Sequence, residues 1–232
     1  MKWQNQLAVS ENWTGEISNL EEKVKVANRV SQFVKQGDVI GVGSGSTSFL
    51  AVKKIAERVK QENLEIITIP TSQEALLNCS ALGLKTTSLS AAKPDWAFDG
   101  ADEVDSNKRL IKGRGGAMFA EKLVMASAPK TYILVDESKF VTRLGEKFAV
   151  PIEVDPRAVN LVETYLNNLQ VQEVDLRMAQ SKDGPVITEA GNLILDARFG
   201  EISDEMEMKL SAIPGVVETG LFIDYSVEIL TI

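Results

Sequence analysis

The stretch Asp38-Val-Ile-Gly-Val-Gly-Ser-Gly-Ser-Thr47 decides the fold. Its first half reads as a short strand, and an apolar pattern of helical period resumes from about Ser48 to Lys60. The glycines between them let the backbone turn sharply and come close to a ligand, and the N–H groups of a helix start favour an anion. Ser44, Ser46 and Thr47 add hydroxyl donors beside Gly45. The unit is not a P-loop, because no Gly-Lys-Ser/Thr follows. It also misses the dinucleotide fingerprint, because Ser46 stands where the third glycine belongs. Read alone, it serves as a phosphate cradle or simply as a tight strand-to-helix turn.

Upstream, Val24, Val26, Ala27, Val30, Phe33 and Val34 recur at helical spacing, which predicts a helix from Leu20 to Val34 that stops at Gly37. Residues 1–20 show no clean period and read as an irregular extension. Downstream, Glu65–Ile69 predicts a strand, and Thr71-Ser-Gln-Glu74 a capping-box start to a short helix ending near Gly83. Lys85–Leu89, Asp95–Phe98 and Thr131–Val135 predict further strands. This alternation predicts an α/β, doubly wound, mostly parallel sheet of Rossmann-like type, in which ligands gather beyond the carboxyl ends of the strands. After Gly145 the texture changes. Phe148–Val154 reads as an edge strand, Pro156–Leu169 as a helix and Val171–Met178 as a strand. A hairpin around Glu189-Ala-Gly-Asn192, a helix over Ser203–Ala212 and closing strands from Val216 follow. The change of texture divides the chain near Gly145 into an α/β segment and a smaller two-layer α+β segment with its own core.

The richest chemistry lies in Phe98-Asp-Gly-Ala-Asp-Glu-Val-Asp-Ser-Asn-Lys-Arg-Leu-Ile-Lys-Gly-Arg-Gly-Gly-Ala-Met-Phe-Ala-Glu121. Asp99, Asp102, Glu103 and Asp105 crowd the turn after a buried strand. A short strand at Leu110-Ile111 delivers Lys112 into a glycine-rich loop, and a helix then carries Glu121 among apolar neighbours. An acidic turn is commonly a solvated loop, and a Glu-Lys pair on a helix is commonly exposed. Here the residues around Glu121 are apolar on nearly every side, which points to an acid/base site. Burial disfavours an ionised carboxylate, so such a glutamate is a stronger base once ionised.

The 232 residues contain no histidine, which excludes Ser-His-Asp and Cys-His catalysis and imidazole-bound zinc. A formal charge of -8 and a pI near 4.8 argue against nucleic acid as a partner. The lone Cys79 allows no intrachain disulfide and suits a reduced, cytoplasmic setting. With no basic-then-apolar leader and no long apolar run, neither a secretion signal nor a membrane partner is expected.

These segments resemble ribose-5-phosphate isomerase, type A. The resemblance is carried by Gly41-Val-Gly-Ser-Gly-Ser-Thr47, Pro70-Thr-Ser, Asp99-Gly-Ala-Asp-Glu103, Lys112-Gly-Arg-Gly-Gly-Ala117, Glu121-Lys122 and Asp136-Glu-Ser-Lys139. Val150-Pro-Ile-Glu-Val154, Gly191-Asn-Leu-Ile-Leu-Asp196 and Ile213-Pro-Gly-Val-Val-Glu-Thr-Gly-Leu-Phe222 follow in family order. It implies a catalytic α/β domain over 1–145, completed by 221–232, and a smaller α+β, ferredoxin-like domain over 146–220. It also implies interconversion of ribose 5-phosphate and ribulose 5-phosphate through an enediolate, with no metal or other cofactor, by a homodimer or homotetramer. Glu121 would be the base, with Asp99 and Asp102 opening the ring and holding hydroxyls, and Lys112 steadying the oxyanion. Ser44, Gly45, Ser46, Thr47, Gly100, Ala101, Gly113, Arg114, Gly115 and Lys139 would bind the sugar phosphate. The chain departs from the family's pattern at Arg114, usually glycine, at Ala120, commonly arginine, and at Ser44, frequently threonine. Arg114 keeps open an isomerase of a related sugar phosphate. A sugar-phosphate-sensing module without catalysis is the other alternative.

Overall fold

The computed structural model describes residue 13 and residues 16–232; most of the extension expected over 1–20 lies outside the described residues. The first half of the chain runs α1 (Leu20–Ser31), β1 (Val39–Val42), α2 (Ser46–Glu62), β2 (Ile67–Pro70), α3 (Gln73–Ala81), β3 (Lys85–Thr86) and β4 (Trp96–Asp99). Next come β5 (Glu103–Val104), β6 (Leu110–Ile111), α4 (Met118–Ser127) and β7 (Thr131–Leu134). The remainder is β8 (Val150–Val154), α5 (Val159–Asn168), β9 (Glu173–Leu176), β10 (Leu193–Arg198), α6 (Met206–Ser211), β11 (Val216–Thr219), β12 (Leu221–Phe222) and β13 (Val227–Leu230). Two compact units result. One comprises the described residues up to Gly100, Leu123–Ser138 and Ser226–Ile232; the other comprises Ala101–Lys122 and Lys139–Tyr225. The boundary expected at 145/146 falls inside the second unit. The buried Glu103 carboxylate ties the two sides of that boundary together, accepting the N–H groups of Gly145, Lys147 and Phe148 at 2.6–2.7 Å.

In the first unit the sheet order is β13-β7-β4-β1-β2-β3, and every pairing is parallel. Counted along the chain this is 3-2-1-4-5-6, the doubly wound order whose reversal between β1 and β4 opens a ligand crevice at the strand carboxyl ends. Ile40, Val42 and Phe98 pack with Val26 and Val30 of α1 and Val52 and Ile55 of α2. Ile69 and Ala97 pack instead with Val124 and Ala128 at the end of α4. Gly41 is held to a hydrogen by this second layer: a Cβ there would lie 2.4 Å from Val124 Cγ1 and 2.7 Å from Ala97 Cβ.

In the second unit β8-α5-β9-β10-α6-β11 forms an antiparallel sheet of order β11-β8-β10-β9, a ferredoxin-like βαββαβ unit. Its core is built by Ile152, Val154, Val162, Leu166, Leu195 and Leu210. A small sheet, β12-β6-β5, stands beside it in the same unit. Two expectations are corrected. β8 is an interior strand, not an edge: Pro151 removes a single donor, and its carbonyl still accepts the Gly220 N–H at 2.7 Å. The hairpin is reduced to a turn, closed by the Thr188 N–H to Asn192 O at 2.9 Å. Residues 185–188 form no strand, and β10 pairs with β8 and β9 instead.

The packing at Gly41 makes a prediction. Gly41→Ala is expected to lower stability in equilibrium urea unfolding by about 1–3 kcal/mol through overpacking. Adding Val124→Ala should return part of that loss, because the two positions share one contact; strictly additive losses would refute the account.

Candidate active site

The carboxyl ends of β1 and β4 meet in the first unit. Gly43 donates its N–H to Phe98 O at 2.9 Å, and a Cβ on it would lie 2.0 Å from Asp99 Oδ1, so only glycine fits. Asp99 is 4% exposed; its Oδ1 accepts the Gly100 N–H at 2.7 Å and the Ser48 hydroxyl at 3.5 Å. Gly45 takes a positive φ of 88° and donates its N–H to Glu74 Oε2 at 3.1 Å. The Ser44 hydroxyl donates to Ser72 Oγ at 2.7 Å and lies 3.0 Å from Thr71 Oγ1. Ser46 and Thr47, half-buried, open the 17-residue helix α2.

The sequence reading missed Lys23. It sits on the buried stripe of α1 with Val26, Ala27 and Val30, yet its ammonium donates to Ser46 Oγ at 3.4 Å. Asp136, 1% exposed, faces the same ammonium at 3.9 Å and also accepts from Asn19 Nδ2 and from the N–H and hydroxyl of Ser138. Burial works against the ionised form of Asp136. The Ser138 and Asn19 hydrogen bonds and the Lys23 charge outweigh it and hold the carboxyl below its usual range. A lysine three residues before an apolar position of a core stripe was the available signal. A buried cation beside a helix start is a ready anion site.

In the second unit, β6 delivers Lys112 and the first turns of α4 deliver Glu121. The Lys112 ammonium lies 3.2 Å from Glu121 Oε2, with both side chains no more than 7% exposed. The Lys112 N–H is held by Gly220 O at 2.9 Å, and the Phe222 ring lies 5.7 Å from the Lys112 ammonium. Lys122, the next residue along α4, is gripped by Glu207 and Glu218 at 2.6 and 2.7 Å. Gly113 takes φ 104° and Gly116 φ 79°, and a Cβ on Gly113 would come within 2.9 Å of Met118 Cε.

The acids of the turn do not share one role. Asp105 pairs with Arg109 at 2.7 Å, and Glu103 holds the 145–148 turn. Asp102 keeps its carboxylate on the glycine loop, accepting the Arg114 N–H at 3.2 Å. Arg114 itself is exposed, with its guanidinium 5.9 Å from the Phe148 ring centroid. Ala101 is buried, Gly115 is exposed, and Lys139 rests its ammonium 5.8 Å from the same Phe148 ring.

A doubly wound sheet with a hydroxyl-lined helix start, and a buried lysine–glutamate pair behind a glycine loop, define an α/β enzyme of the acid/base kind. Comparison with known proteins narrows this. The model of the family ribose 5-phosphate isomerase A (phosphoriboisomerase A) matches residues 67–231. Ribose-5-phosphate isomerase A of Methanothermobacter thermautotrophicus is 44% identical over 86% of this chain and 88% of its own. The ribose-5-phosphate isomerase of Sus scrofa is 43% identical over 90% of this chain and 70% of its own. The solved ribose 5-phosphate isomerase A of Methanocaldococcus jannaschii superposes with a TM-score of 0.88 at 41% identity, covering 91% of this chain and 95% of that one. A D-ribose-5-phosphate isomerase in complex with phospho-erythronic acid does so equally, at 40% identity over 92% and 95%. The chain belongs to the ribose 5-phosphate isomerase A family.

Asp136 gives the prediction here. Its depressed folded-state pKa contributes stability that is present above the ordinary aspartate value of about 3.9 and is lost as pH falls through the lower folded value. Asp136→Asn should therefore be less stable than the parent at pH 7 in urea titrations. The gap should narrow steadily towards pH 3; a gap that does not vary with pH would count against the carboxylate's charge as its source.

Proposed function

We propose that this chain interconverts D-ribose 5-phosphate and D-ribulose 5-phosphate, in the non-oxidative branch of the pentose phosphate pathway. The observation that carries the reading is the Lys112–Glu121 pair, 3.2 Å apart and buried, in a chain without histidine. Aldose–ketose isomerisation needs a base for a weakly acidic C–H and a positive charge for the oxygen that becomes negative. In the open-chain aldose, Glu121 takes the C2 proton; the C–H electrons form the C1–C2 double bond, and the carbonyl electrons move to O1. Lys112 steadies the enediolate. Return of the proton from Glu121 to C1, with transfer of the O2 proton towards O1, completes the ketose. A positioned base supplies about 10²–10⁴-fold, and a preorganised donor at the oxyanion about 10²–10³-fold.

Asp99 and Asp102 are assigned ring opening and the sugar hydroxyls, with Gly100, Ala101, Gly113, Arg114 and Gly115 lining the sugar. The phosphate is assigned to the turn Ser44–Thr47 and to Lys23 of the same unit, whose ammonium is already at the Ser46 hydroxyl. Ser44 spends its proton on Ser72, so it shapes the turn more than it donates. The related structure in complex with phospho-erythronic acid, a phosphorylated sugar acid, supports the substrate class. We assign a cytoplasmic setting, because the single cysteine, Cys79, is free and allows no intrachain disulfide. No helix among the described residues is long and apolar enough to cross a membrane. A homodimer or homotetramer is in keeping with Leu161 and Tyr165, both more than 40% exposed and four residues apart on α5.

Glu121→Gln should lower kcat for ketose formation from ribose 5-phosphate, assayed with a chelator present, by at least about 10²-fold. Calorimetric binding of phospho-erythronic acid should persist in that variant; substantial turnover would falsify the role. Light scattering of the parent in solution should give a mass of two or four chains, and a Leu161→Glu, Tyr165→Glu variant a smaller one. A parent that runs as one chain would remove the assembly.

A further inference from the structure

Arg177, just after β9, has no part in the assignments above, yet its side chain ends on the glycine loop. Its Nε donates to Asp196 Oδ2 at 2.7 Å and its Nη2 to Asp196 Oδ1, a two-pronged ion pair with the neighbouring strand β10. Such a fork fixes the plane of the guanidinium. Nη1 then donates to two successive carbonyls, Gly113 O and Arg114 O, each at 2.9 Å. A trans peptide turns its N–H to the side opposite its carbonyl. With both carbonyls drawn to Arg177, the N–H groups of Arg114 and Gly115 are turned away from it. The first of these reaches the Asp102 carboxylate at 3.2 Å. Within the loop, Gly116 donates its N–H to Gly113 O, whereas a Cβ on Gly115 would meet nothing within 4 Å. Three glycines in four residues lose much backbone freedom when ordered.

We propose that Arg177, oriented by Asp196, is a positioning residue for the reaction: it fixes the peptides 113–115 so that Lys112 and the loop N–H groups meet the substrate in one arrangement. This rests on the isomerase reading. Lysine cannot replace Arg177, because an ammonium lacks the planar fork that serves a carboxylate and two carbonyls together.

The test uses the full chain, as Arg177→Lys and Arg177→Ala. Both should lose about 10²-fold in kcat, the scale of a small misplacement of reacting groups, with KM for ribose 5-phosphate changed far less. Guanidinium ion at a non-denaturing concentration should restore turnover to Arg177→Ala and not to Arg177→Lys. Amide hydrogen exchange should quicken at Arg114 and Gly115 in both variants while β8 and α5 keep their protection. Parent-like kcat in Arg177→Lys, or no rescue by guanidinium together with unchanged exchange at 114–115, would overturn the proposal. If the parent itself fails to isomerise ribose 5-phosphate, it is the isomerase reading that falls. The exchange comparison then still decides the clamp, since unchanged protection of the loop overturns it.

Discussion

Two opposite charges held 3.2 Å apart, Lys112 and Glu121, set the terms for the second unit of this protein. Taking both out of water costs several kcal/mol per ion, and their attraction repays it only with good geometry. A fold does not need such a pair for stability, and an apolar pair of similar volume often serves as well or better. The surroundings of this pair show how it is kept. The Lys112 N–H is fixed by Gly220, and a Cβ on Gly220 would lie 2.2 Å from Lys112 O, so the two backbones touch. Lys122, next to Glu121, is anchored by Glu207 and Glu218, and Glu207 also accepts the Ile223 N–H at 2.7 Å. Glu121 thus stands in the first turn of α4 and Lys112 at the exit of β6, where the chain passes into the glycine loop; the helix and the strand fix their ends of the pair better than a free loop would.

The same economy of space governs the first unit. Gly41 admits Val124, and Gly43 admits the Asp99 carboxylate, two residues apart on one strand and its exit. The alternation of strand side chains sends Ile40 and Val42 into one layer and leaves Gly41 to the other. The Asp99 carboxylate can stand at the switch point of the sheet because the residue beside it has no side chain.

Much of this was legible in the sequence. The parallel sheet followed from apolar runs alternating with helical periods. The short helix was expected from a capping box opening at Thr71, but the Thr71 N–H is taken by Val42 O of the neighbouring strand and the cap falls one residue later, on Ser72, whose hydroxyl accepts the Ala75 N–H. What was not legible depended on partners distant in the chain. Pro151 signals an edge strand locally, but the fold places β11 and β10 on either side of it. β5, two residues long, has no period to detect and exists because β6 pairs with it. Of the site, Lys112 and Glu121 could be singled out by composition and by the family's motifs, whereas their meeting required the fold. Lys23 and Arg177 carried no motif. Each looks like an ordinary surface cation until the structure shows one on a core stripe and the other bonded to two carbonyls.

A net charge of -8 is a poor prospect for holding an anionic sugar phosphate. The long-range field repels such a ligand, and salt screens that field within about 8–10 Å. Short-range groups therefore decide the outcome. Lys23 is 5% exposed, so water screens its charge poorly; it faces the Ser46 hydroxyl at the start of a 17-residue helix, whose dipole adds to it. Asp136 offsets part of that charge, but its oxygens are divided among Asn19, Ser138 and Lys23. An acidic protein that binds an anion must place its cations where solvent cannot dilute them, and a lysine on the core face of α1 meets that requirement.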